Sequence, residues 1–84
     1  MDERIKNVSR DIWNKLKNTV NASVDCKYDD KTDKLNVEIG RLGLIYKTSI
    51  KDFSSKCTDE TDIEIAFDKV VKSYRQYVEH KFFN

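Results

Sequence analysis

Residues 24–50 read VDCKYDDKTDKLNVEIGRLGLIYKTSI, and their period decides the fold. Val24, Cys26 and Tyr28 alternate with Asp25, Lys27 and Asp29, which is the pattern of a half-buried strand. The run Asp29–Asp33, DDKTD, is a polar turn. Leu35, Val37 and Ile39 then alternate with Lys34, Asn36 and Glu38, giving a second strand. Gly40-Arg41 is the expected two-residue hairpin turn, with glycine in the first central place. Leu42, Leu44, Tyr46, Thr48 and Ile50 keep period two through a third strand, and Ile45 is its exposed apolar exception. Three such strands with short connections predict an antiparallel meander with one face buried.

Upstream, the period is helical. At about 100° per residue, Ile5, Val8, Ile12, Leu16 and Val20 fall within about 120° of one another. A helix over residues 2–20 follows, with Asp2 as N-cap, Glu3 favourable in the first turn and an end at Asn18 or Asn21. Downstream, KDFSSKC reads as a loop anchored by Phe53. A second helix is expected from Thr61, where Thr61 and Glu64 form a capping box. The order α-β-β-β-α, with both helices on the apolar face, predicts a two-layer α+β sandwich forming a single compact domain over residues 1–84.

The stretch KVVKSYRQYVEHKFF, residues 69–83, mixes aromatics with bases along the chain. On a helix they separate. With Ile63 at the origin, Phe67, Val70, Tyr74, Tyr77 and Val78 lie within about 60° either side, flanked by Ala66 and Val71. Lys72 and Arg75 fall on the back with Asp68 and Glu79, as Asp68–Lys72 and Arg75–Glu79 pairs. The stretch is therefore a core helix with a charged back. Lys81 falls on the centre of the stripe, so the helix is expected to fray or leave the core there, freeing HKFFN as a short apolar tail.

Composition narrows the function. An 84-residue chain has little volume for an internal catalytic cavity. Sixteen bases against fifteen acids leave a net charge of +1, which argues against tight nonspecific nucleic-acid binding. The apolar runs are too short for a membrane span, and MDERIKNVSRDIW has no secretory core, so a cytoplasmic protein with reduced thiols is expected. Lys, Asn, Asp and Ile are frequent and proline is absent, a bias that suits the AT-rich genome of a bacterium, phage or mobile element. Asp29, Asp30 and Asp33 lack the glycine and terminal acid of a calcium loop. His80 reads as a surface residue, Cys26 as an inert core thiol and Cys57 as an exposed, oxidisable loop thiol. No catalytic residue, metal site or cofactor is expected, and no enzyme.

Two surfaces remain. Asp59, Glu60, Asp62 and Glu64 form an acidic lobe with no base until Lys69. They relieve the helix dipole and present negative charge to a basic surface on another protein. On the first helix, Trp13 sits at the stripe's edge beside Lys6, Arg10 and Lys17. That face suits nucleic acid, by stacking on the indole, or a protein contact. Self-association through Ile45 or Phe82-Phe83 is a further expectation.

The element order resembles the double-stranded RNA-binding domain over nearly the whole chain. That family grips phosphates with lysines at the start of its last helix. Here the segment is TDETDIE, with four acids, and the resemblance is one of topology alone. In being a compact α/β domain with an acidic patch, the chain is also similar to small phage-encoded inhibitors, some anti-CRISPR proteins among them. No motif ties it to any family. The expected function is a non-catalytic protein-binding module, an inhibitor or accessory factor, with nucleic-acid binding as the alternative.

Overall fold

The computed structural model describes residues 2–83, with side chains as far as Phe82. Its elements are α1 (Glu3–Val20), β1 (Ser23–Asp29), β2 (Lys34–Arg41), β3 (Leu44–Lys51), α2 (Phe53–Lys56) and α3 (Glu60–Phe83). The strands form one antiparallel sheet in the order β1-β2-β3. The α-β-β-β-α order and the α+β class expected from the period are present, with the short α2 added before the last helix.

α1 starts where its cap does: the Asp2 carboxylate accepts the Arg4 backbone N–H at 2.9 Å. It ends at Asn21, which turns left-handed at φ 49°, a conformation asparagine tolerates. Ile5, Val8, Ile12, Leu16 and Val20 are its buried residues, as the stripe requires. They meet Leu35, Val37, Ile39 and Ile50 of the sheet and Ala66, Val70, Val71 and Tyr74 of α3 in one core. α1 lies under β1 and α3 under β3, so both helices cover the same face. α3 has 24 residues, about 36 Å at 1.5 Å per residue, and this sets the molecule's 40 Å long axis.

Several expectations are corrected. The hairpin turn is Leu42-Gly43, not Gly40-Arg41: Gly40 pairs with Ile45 and Arg41 with Leu44. Leu42 and Gly43 have φ of 52° and 83°, as a type I′ turn demands of both central residues. Leu42 is thus an exposed turn residue, not the start of the third strand. KDFSSKC is not a loop throughout, because Phe53 opens α2 and is buried as its anchor. Cys57, following α2, is also buried, at 1% exposure, and not the exposed thiol expected. The last helix begins at Glu60, where the Asp59 carboxylate accepts the Thr61 N–H at 2.7 Å in place of the Thr61–Glu64 box. Among the described residues the ion pairs are Lys15–Glu64 and Lys47–Glu38, not the two pairs expected on the back of α3.

α3 does not fray at Lys81. It runs to Phe83 as helix, with Val78 half-buried and residues 79–82 exposed. Phe82 is exposed, and the side chain of Phe83 lies outside the described residues. Among the described residues no helix is long and apolar enough to cross a membrane.

Candidate functional site

Asp59, Glu60, Asp62 and Glu64 are all exposed, but they do not act as one lobe. Asp59 is committed to capping α3. Glu60 and Glu64, four residues apart, share the flank of α3 that faces α1. Glu64 accepts a hydrogen bond from Lys15, which holds the Lys15 ammonium above its usual pKa. Asp62 falls about 160° from Glu60 around the helix, on the side toward β3.

Between α1 and α3 runs an open groove of about 820 Å³. Val8, Ile12 and Ile63 form its floor, Glu60 and Glu64 its acidic wall, and Arg4, Asp11 and Lys15 the opposite wall. The Lys15 Nζ also stands 5.4 Å from the Phe67 ring centroid. At one end of the groove the Arg4 Nε donates to the Cys57 carbonyl at 2.7 Å, tying α1 to the segment that leads into α3.

The alternative site is brought together as expected. Lys6, Arg10 and Trp13 line one groove with Val24, Asp25 and Cys26, and Lys17 follows one turn on. Trp13 is half-buried and already occupied. Its Nε1 donates to the Val24 carbonyl at 2.7 Å, and the Lys17 Nζ sits 4.8 Å over its ring. Trp13 is therefore a clasp between α1 and β1 with one ring face taken by a lysine. Asp25 places a carboxylate in the same groove, where a phosphate backbone would be repelled.

Neither cysteine is activated. Burial pushes the Cys57 thiol up to about 11 despite the neighbouring Arg4, and burial with Asp25 does the same for Cys26. Cys26 is half-buried on an edge strand, less enclosed than a core thiol. His80 is exposed. Among the described residues no group of three His, Cys, Asp or Glu side chains is placed to hold a metal ion.

A third surface was not read from the sequence. Lys51, Lys56 and Lys69 converge on a cleft of about 310 Å³ between β3 and α3, floored by Ile50, Ala66 and Val70. Each lysine sits in a different element, so no run of bases announces the cluster. The alternation of β3 puts Lys51 on the outer face, away from α3, so period alone gives no sign of the cluster.

No protein-family model, curated protein or solved structure matches this chain.

Proposed function

We propose that this protein is a small non-catalytic protein-binding module that docks on a basic partner surface through the acidic flank of α3. The groove between α1 and α3 carries this reading. Half-buried Ile63 opens onto the groove above the buried Val8 and Ile12, beside the exposed Glu60 and Glu64. A floor of this kind supplies desolvated contact, while the carboxylates orient and select a cationic partner. The near-neutral total charge suits specific docking by local patches over bulk attraction. The reading places the module in the cytoplasm of a bacterium, phage or mobile element, as an inhibitor or accessory factor whose two free thiols stay reduced.

The test separates acids that bind from acids that build the fold. Asp59 caps α3 and Glu64 holds Lys15, so reversing all four acids would confound docking with stability. Glu60→Lys and Asp62→Lys together leave both contacts intact. A partner captured from host extract by the natural protein should be lost on the double reversal and kept by Lys6→Glu with Arg10→Glu. Capture that survives the acid reversal sinks the reading. If capture instead fails with the Lys6, Arg10 pair, and binding to generic DNA or RNA falls steeply with salt and on Trp13→Ala, the nucleic-acid alternative replaces it.

A further inference from the structure

The register of the sheet identifies which backbone groups are left over. Arg41 and Leu44 close the two-residue turn and so exchange hydrogen bonds. Bonded and non-bonded pairs then alternate, and Gly40–Ile45, Glu38–Lys47 and Asn36–Ser49 are non-bonded pairs. The N–H and C=O of Ile45, Lys47 and Ser49 consequently point away from β2, along a free edge. The same count across β2 turns Val24, Cys26 and Tyr28 outward on the other side. Two side chains agree with it. The Trp13 Nε1 reaches the Val24 carbonyl, and the Tyr77 hydroxyl reaches the Ile45 carbonyl at 3.4 Å.

α1 lies along β1 with Trp13 clasped to it. On β3, among the described residues, Tyr77 bonds Ile45 at the hairpin end, and no hydrogen bond reaches the outward groups of Lys47 or Ser49. Each edge is met by one side-chain hydrogen bond, and among the described residues none reaches the outward backbone groups of Cys26 and Tyr28 on β1 either, so the edges differ in charge rather than in cover. Exposed edges of this kind are templates for an added strand.

Charge selects what can pair there. Below the edge lie Lys56 and Lys69, with no carboxylate in the cleft, and Lys51 borders it from the outer face. On the outer face Lys51 stands directly opposite Lys34, which is faced on its other side by Asp29, whereas Lys51 at the edge has no strand beyond it. The acid nearest along that flank of α3, Asp62, lies seven residues before Lys69, about 10 Å along the helix. Two copies of β3 pairing edge to edge would bring their Lys47 and Lys51 rows together, so a second copy of this chain is disfavoured. A nucleic-acid strand offers phosphate acceptors but no regular donors for the outward carbonyls. A peptide backbone offers both, at the spacing of the ladder.

We propose that the free edge of β3 is a docking site for an extended acidic segment of another protein, which adds a fourth strand over residues 45–51. Alternate side chains of that segment face opposite sides. Acidic ones on the outer face meet Lys51, and Lys47, whose ammonium also lies 3.5 Å from Glu38. Apolar ones on the inner face reach the floor of Ile50, Ala66 and Val70, between Lys56 and Lys69. This site is separate from the α1–α3 groove and takes the opposite charge, so either can fail without the other.

A ten-residue peptide alternating Glu and Val is the probe, titrated into the isotope-labelled protein and followed by amide chemical shifts and hydrogen exchange. Amide shifts should concentrate in residues 45–51, and the Lys47 and Ser49 N–H groups should become protected. Lys51→Glu with Lys69→Glu, both exposed positions, should weaken binding about tenfold or more. The same peptide with alternate amides N-methylated keeps the charge but cannot form the ladder, and should not bind. No shift up to millimolar peptide overturns the proposal. So does equal binding by a Lys-Val peptide or by the N-methylated probe. Tighter binding of oligothymidylate than of the Glu-Val peptide at the same lysines also overturns it, in favour of a nucleic-acid surface.

Discussion

Cys57 shows how one residue's chemistry follows from what encloses it. It follows a four-residue helix whose Phe53 is also buried, and its own N–H donates to the Phe53 carbonyl at 3.0 Å. Sequence around it (SSKCTDE) is polar, and polarity predicts exposure. The structure reverses that, because burial of Phe53 pulls the next turn of chain inward. With the thiol at about 11 and 1% exposed, native protein at neutral pH should react with a disulfide reagent far more slowly at Cys57 than unfolded protein does. Cys26, half-buried on an edge, should react first of the two. Rapid native labelling of Cys57 would contradict its placement in the core.

At the scale of elements, the β2–β3 hairpin carries a local conflict. A type I′ turn wants glycine, asparagine or aspartate at its first central place, yet Leu42 occupies it at φ 52° with its side chain 77% exposed. A left-handed conformation costs a branched-chain residue about 1 kcal/mol or more. Leu42→Asn, which makes the favoured Asn-Gly turn, should raise stability by about 0.5–1 kcal/mol, read as a higher urea midpoint at unchanged slope. A lower midpoint would mean that Leu42 makes a contact worth more than the strain. The misplaced turn has the same origin. Gly40 looked like the corner because glycine is the usual signal, whereas it is a strand residue whose outward position lies between Ser23 and Ile45. Elements whose apolar residues recur over several turns were legible: α1, β2 and the stripe of α3. α2 is a single turn, too short for any period to reveal it.

Across the whole molecule, Asp33 joins parts that are distant in sequence. Its carboxylate accepts the Tyr28 hydroxyl at 2.7 Å, the Ser54 N–H at 2.9 Å and the Ser54 hydroxyl at 2.6 Å. Its carbonyl accepts the Phe53 N–H at 3.0 Å, so the β1–β2 turn is tied to the start of α2. The Ser54 and Tyr28 hydrogen bonds hold the carboxyl below the ordinary 3.8. A depressed carboxyl contributes stability at pH above its unfolded value, and that contribution is lost as pH falls through the folded one. The urea midpoint of the natural protein should therefore drop between about pH 5 and pH 3, and Asp33→Asn should flatten part of that drop. An identical pH profile in the variant would remove Asp33 from the account.

The sequence by itself determined the layers: two amphipathic helices over one face of a three-stranded meander, with the charged residues outside. Periodicity suffices for this, since it records which side of its own element each residue occupies. The candidate sites were only partly within its reach. Lys6, Arg10 and Trp13 share a groove as their spacing on one helix implied, while the four acids divide between a cap, an ion pair and two flanks. Only the tertiary structure decided that Glu60 faces α1, that Cys57 is enclosed, and that Lys51, Lys56 and Lys69 gather on one open strand edge. Such meetings depend on which elements become neighbours and in what register. That is settled by packing the whole chain into one core, and no local pattern encodes it.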